Sequence, residues 1–121
     1  MRRLEFASLQ VMDLEASTHF YTTKLGFEPA GIPNPDACVF KFGKGDASFA
    51  IRKPLANLDG RELGVGTSLW FAIDEDIQEL RSRLLEKEVT LIGAVNETPF
   101  GRTIMAKDPD GYIITFLKAN P

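Results

Sequence analysis

Cysteine and histidine are almost missing from this 121-residue sequence, which holds one of each, Cys38 and His19. A single cysteine excludes an internal disulfide and a cysteine-built zinc cluster, and it fits a reducing compartment. A single imidazole leaves serine and cysteine nucleophiles with one candidate base, and no triad can be read from the chain. Long apolar runs are missing too: the longest, Leu69 to Ile73, falls far short of the roughly 20 residues that cross a bilayer. The N-terminus opens Met1-Arg2-Arg3 but reaches Glu5 and then Asp13 before any extended apolar stretch, so no signal peptide is expected. Nor is there a basic surplus, since 14 Lys and Arg against 17 Asp and Glu give a net charge of −3, the wrong sign for a phosphate backbone. No glycine-rich loop precedes a helix; Gly43-Lys44-Gly45 lies between strand-like segments, where a hairpin turn accounts for it. These absences lead to the expectation of a cytoplasmic protein with no nucleic-acid or membrane partner.

What the sequence does contain is ordinary for a globular chain. Its 44% hydrophobic and 26% charged residues favour neither disorder nor a fibre, and its length sets an expectation of one domain that buries roughly two-thirds of its unfolded surface. Glu5 to Val11 alternates, with Ala7, Leu9 and Val11 on one face and Phe6, Ser8 and Gln10 on the other, which predicts a strand. Asp13 stands as an N-cap before Leu14, Ser17, Phe20, Tyr21 and Leu25 at helical spacing, and Gly26 ends the segment. Strands are then expected at Phe27 to Ala30, Cys38 to Phe42 and Ser48 to Arg52.

The same order begins again after a polar connector. Ser68 to Ile73 reads as a strand, and Asp74-Glu75-Asp76 caps a helix whose Ile77, Leu80, Leu84 and Leu85 share a face. Strands at Val89 to Ala94, Arg102 to Lys107 and Tyr112 to Leu117 follow, with a polar loop at Asn96-Glu97-Thr98-Pro99 and a turn at Asp108-Pro109-Asp110-Gly111. The sequence thus predicts an internal repeat of two β-α-β-β-β modules, about 4–53 and 67–118, joined by a connector at 54–66. The carboxylate pairs Asp74/Asp76 and Asp108/Asp110 are explained by capping and turn geometry. Cys38 alternates with Phe40 and Phe42, as a buried, inert thiol does.

Two groups of residues carry a family resemblance. Leu9-Gln10-Val11-Met12-Asp13-Leu14-Glu15-Ala16-Ser17, with Phe20-Tyr21 and Leu25-Gly26-Phe27, resembles the opening signature of the vicinal-oxygen-chelate superfamily of glyoxalases, bleomycin-resistance proteins and extradiol dioxygenases. Phe100-Gly101-Arg102 and Asp108-Pro109-Asp110-Gly111-Tyr112 resemble its closing one. The resemblance implies an α+β fold in which the modules form a cup-shaped mixed sheet with the helices outside and enclose a pocket, commonly in a homodimer. In metal-dependent members four inward side chains, usually His, Glu or Gln, hold a divalent ion, and the signatures place those positions at Phe6, Ala50, Ser68 and Thr115. A phenyl ring and a methyl group offer no lone pair, and hydroxyls are poor substitutes for imidazole or carboxylate. His19 falls in the first helix, away from all four. No metal, other cofactor or catalytic residue is therefore expected.

The remaining inner face, by alternation, is Phe6, Ser8 and Gln10, then Ser48, Ala50 and Arg52, then Ser68 and Trp70, with Phe40, Phe100, Arg102 and Thr115 added as further ligand-binding candidates. Such a lining suits a planar apolar molecule hydrogen-bonded at its edges. Alternatively, Phe6 and Trp70 simply fill the cup as core, and the resemblance favours the pocket. The expected function is a metal-independent binding protein similar to those that confer antibiotic resistance by sequestering a drug, with an aromatic or hydrophobic natural product as ligand. Arg52 and the lack of a carboxylate cluster disfavour a large cationic drug such as bleomycin. The alternative is a divalent-metal-dependent lyase, isomerase or dioxygenase of the same fold.

Overall fold

A computed structural model describes residues 1–121, which divide into two compact units, Met1–Gly60 and Arg61–Pro121. The boundary falls inside the glycine-containing connector.

In the first unit, β1 (Phe6–Gln10) leads to α1 (Leu14–His19), whose first turn is capped by the Asp13 carboxylate accepting the Ala16 N–H at 3.1 Å. The helix widens into a π turn at Phe20–Lys24, where the Thr22 hydroxyl donates back to the Thr18 carbonyl at 2.7 Å. Gly26 follows at φ 83°, the left-handed conformation in which helices commonly stop. The two strands expected next are shorter than the alternation suggests. β2 covers Ala37–Val39, and the Phe27 to Ala30 segment contributes only an isolated bridge, Pro29 to Phe40. Pro29 has no N–H to give, which limits the ladder on that side. β3 (Ser48–Arg52) takes the centre of the sheet, parallel to β1 and antiparallel to β2.

In the second unit, β4 (Leu69–Ala72) is followed by α2 (Ile77–Glu86), capped by Asp76, whose carboxylate accepts the Gln78 and Glu79 N–H groups, each at 3.1 Å. Ile77, Leu80 and Leu84 are buried, but Leu85, expected on the same face, is 46% exposed, and Val89 is buried just beyond the helix. The expected strand from Val89 contracts to β5 (Thr90–Leu91), and the expected loop at Asn96-Glu97-Thr98-Pro99 contains a strand, β6 (Asn96–Thr98), antiparallel to β7 (Gly101–Lys107). β7 pairs with β8 (Ile113–Ala119) across the Asp108-Pro109-Asp110-Gly111 turn. That turn is closed by the buried Asp108 side chain, which accepts the Asp110 and Tyr112 N–H groups at 2.9 and 2.8 Å. The sheet order is β4-β8-β7-β5, with β6 also on β7.

The repeat is visible in the pairings. In each unit the first strand lies parallel to the last, β1 on β3 and β4 on β8. The architecture is α+β, with mixed sheets and one main helix to each unit.

Candidate ligand-binding faces

In the first unit, the parallel register sets Phe6 beside Ser48, Ser8 beside Ala50 and Gln10 beside Arg52. Partners in register project to the same side, so all six share one face. Leu9, Phe49 and Ile51 are buried on the opposite side. Phe6 is 50% exposed, so it is not filling a core. Three of the polar members are already engaged: Gln10 Oε1 accepts the Leu55 N–H at 2.7 Å, Arg52 Nε donates to the Lys53 carbonyl at 3.1 Å, and the Ser48 hydroxyl donates to the Glu5 carbonyl at 3.4 Å.

Phe40 does not join them. The antiparallel register puts Cys38 opposite Ile51, and continuing that parity places Phe40 on the Phe49 side. Its ring, 1% exposed, stacks on Tyr21 and Phe49 at 5.8 and 5.6 Å. Phe40 is a core residue of the first unit, and no ligand reaches it without unpacking that cluster.

In the second unit, Trp70, Thr115 and Met105 lie side by side across β4, β8 and β7. Leu69, Phe71, Ile104, Ile114 and Phe116 project to the other side, with Phe71 and Phe116 rings 6.5 Å apart. Trp70 is 45% exposed, and its indole N–H donates to Ser68 Oγ at 2.9 Å, which fixes the ring relative to its strand. Phe100, 67% exposed, meets it edge-on, with centroids 6.2 Å apart at 88°. Thr115 and Thr103 lie buried on the same face.

Thr98 and Gly101 position Phe100, a role the sequence reading did not assign to either. The Thr98 hydroxyl donates to the Gly101 carbonyl at 2.7 Å and accepts the Phe100 and Gly101 N–H groups, each at 3.2 Å, closing the β6–β7 hairpin. Gly101 adopts φ 144°, and a Cβ there would lie 2.2 Å from the Lys118 carbonyl oxygen, so the neighbouring strand passes where any side chain would be. The Thr-x-x-Gly spacing was a usable signal for this turn.

Arg102 is separated from Trp70. It pairs with Lys118, one residue out of phase with Thr103 and Met105, and therefore projects to the α2 side of the sheet.

The four positions that the signatures align with metal ligands, Phe6, Ala50, Ser68 and Thr115, carry no imidazole or carboxylate. Phe6 and Ala50 carry no donor atom, and Ser68 Oγ already accepts the Trp70 indole N–H. No group of three or more His, Cys, Asp or Glu side chains is arranged to hold a metal. His19 is exposed, with Nδ1 3.5 Å from Thr23 Oγ1. Cys38 is half-buried, and burial pushes its thiol up against a smaller opposing effect of a Thr18 hydrogen bond, which disfavours the reactive thiolate.

The strand pairings and the two signatures agree with comparison to known proteins. The chain belongs to the Glyoxalase/Bleomycin resistance protein/Dioxygenase superfamily, whose family model matches residues 3–116. Similar solved structures include a member of the superfamily from Sphaerobacter thermophilus DSM 20745, 27% identical with TM-score 0.74, covering 98% of each chain. TnmS3, an antibiotic binding protein from Streptomyces sp. CB03234, is 26% identical with TM-score 0.76 over 99% of this chain and 98% of its own. A glyoxalase/bleomycin resistance protein from the same Streptomyces strain is 27% identical with TM-score 0.73 over 96% of this chain and all of its own (100%). No curated protein matches significantly. No helix is long and apolar enough to cross a membrane.

Proposed function

We propose that the protein is a metal-independent binding protein that sequesters an aromatic or hydrophobic natural product, conferring antibiotic resistance, and that it acts as a cytoplasmic homodimer. The observation that carries this reading is the exposed Trp70–Phe100 pair standing over Thr115 on a sheet face with no metal-competent side chain. Two exposed rings held at right angles offer a planar ligand one surface to stack on and one edge to abut. Similarity to an antibiotic binding protein supports the ligand class. On the first unit, Phe6 with Ser8 and Ser48 gives a second patch of the same character. β1 and β4 each end the sheet of their own unit, and an edge strand suits pairing with another copy.

Trp70 is the sole tryptophan, so its fluorescence reports on this face alone. Protein treated with chelator and dialysed is titrated with a panel of aromatic antibiotics, dicarbonyls and catechols, with product analysis in parallel. Saturable change in Trp70 emission with an antibiotic recovered unaltered is expected. Turnover of a dicarbonyl or catechol that requires an added divalent ion would overturn the reading in favour of a metal-dependent enzyme. Light scattering at tens of micromolar should give the mass of a dimer.

A further inference from the structure

The opposite face of the second sheet carries a cleft of about 330 Å³ between α2 and the β6–β7 hairpin, lined by Gln78, Arg81, Ala94, Val95, Glu97 and Arg102. Its chemistry is unlike that of the Trp70 face. Gln78 and Arg81, three residues apart on α2, share a side of the helix. Arg102 and Glu97 are register partners across β7 and β6. The cleft therefore brings two guanidinium groups from different elements to one place, with a single carboxylate between strands to oppose them.

Each guanidinium has one unsatisfied donor, its Nε–H. The Nε atoms of Arg81 and Arg102 are both shut off from solvent, and neither has a hydrogen-bond partner. Glu97 Oε1 lies 3.6 Å from Arg102 Nε, close enough for an ion pair but too far for a hydrogen bond. The Glu97 side chain is 84% exposed, so water screens that pair and leaves the carboxylate free to swing away. Lys118, beside Arg102 in register, is occupied elsewhere, donating to the Asp74 carbonyl. Buried donors on charged groups strongly favour an acceptor, and a guanidinium presents Nε–H and Nη–H in a planar fork that matches two oxygens of one oxyanion.

We propose that this cleft is a second binding site, for the carboxylate or phosphate group of a small ligand. The Arg81 and Arg102 guanidinium groups hold the bound oxygens, their Nε–H groups gaining acceptors as the side chains turn into the cleft, the Gln78 amide supplies a further donor, and Ala94 and Val95 give the carbon skeleton an apolar wall. With two arginines against one glutamate, the empty cleft favours a monoanion, and a dianion binds once Glu97 turns out to solvent.

The test follows the Arg Nε–H resonances of the full chain by proton–nitrogen correlation spectroscopy. Sodium phosphate is titrated in one arm and sodium acetate in another, with ionic strength held constant by chloride. Saturable shifts of the Arg81 and Arg102 signals are expected, and the arm that saturates at lower concentration identifies the oxyanion. Arg81→Gln should weaken binding by about tenfold or more, the loss of a charge-assisted hydrogen bond. Glu97→Gln keeps both arginines and removes the competing carboxylate, so it should tighten binding severalfold even if the arginine variant folds poorly. Linear shifts without saturation in both arms, equal affinity in the folded Arg81→Gln protein, or weaker binding in Glu97→Gln would overturn the assignment.

Discussion

In the first unit four aromatic rings gather on the helix side of the sheet, where Tyr21, Phe27, Phe40 and Phe49 have pairwise centroid distances between 5.2 and 6.0 Å, while Phe6 stands half-exposed on the opposite face. In the second the helix-side core is mainly aliphatic, built on Ile77, Leu80, Leu84, Ile104 and Ile114, while Trp70 and Phe100 stand half-exposed on the other face. The strand plan is the same in both, first strand parallel to last. Because successive residues of a strand point to opposite faces, one face can change its chemistry while the other keeps the fold. Aromatic content alone therefore says nothing about where a ligand binds; strand parity decides whether a ring is core or contact.

The sharpest way to break this comparison is to truncate one ring from each group. Phe40→Ala should cost about 3 to 5 kcal/mol of stability by urea unfolding, the cost of emptying a ring site in a packed cluster. A cost below about 1 kcal/mol would mean that the aromatic cluster is not the core of its unit. Trp70→Ala should behave in reverse. Affinity for an aromatic ligand should fall by about 2 kcal/mol, roughly thirtyfold, as for an aromatic anchor. Trp70→Phe, which keeps most of the volume, should leave stability within about 0.5 kcal/mol of wild type while still weakening binding. Lowered stability with affinity intact would move Trp70 into the core and erase the contrast.

The smallest effect concerns pH. The Tyr112 phenol is pushed above its ordinary range by burial first, then by the negative charges of Asp108 and Asp110. An unfolded tyrosine loses its proton near about pH 10, and the folded chain holds it to higher pH. Between those two values the unfolded state binds fewer protons, so the stability present at lower pH is lost as pH rises. Tyr112→Phe removes this dependence, and its stability should fall less steeply than wild type across that alkaline window. Equal slopes would show that the phenol titrates alike in both states.

Much of the fold was legible in the sequence because its signals are local. Asp13 and Asp76 precede apolar residues at helical spacing, Gly26 ends a helix, and Asp108 to Gly111 forms a turn, each readable from a few neighbours. β1 and β3 alternate cleanly enough to place Phe6, Ser8, Gln10, Ser48, Ala50 and Arg52 on one face, as their register shows. The site was less legible where alternation is ambiguous. In β7, Thr103 and Met105 are hardly more polar than Ile104 and Ala106, so Arg102 could be put on either face until pairing with β8 fixed the phase. Phe40 has the same parity as Cys38, but only the alignment with Ile51 shows that this parity faces the helix. β6 is made of Asn96, Glu97 and Thr98, which read as loop because an exposed strand has no apolar face to announce it. The cleft at Arg81 and Arg102 joins a helix to a hairpin, a juxtaposition that no sequence period encodes.

The parallel pairing of first with last strand also orders events in time. Phe6 and Trp70 ride on edge strands whose sole sheet partners, β3 and β8, come roughly forty residues later in the chain. Neither strand can zip up from a hairpin; each must wait for a long loop to close, whereas β7 and β8 meet across a short turn. In refolding followed by pulsed hydrogen exchange, amides of β7 and β8 should gain protection before those of β4, and the reverse order would refute this sequence of events. The strands bearing Phe6 and Trp70 would then be the last of their units to be secured during synthesis, so a cell that makes this protein must finish nearly the whole of each unit before either of these two rings is in place.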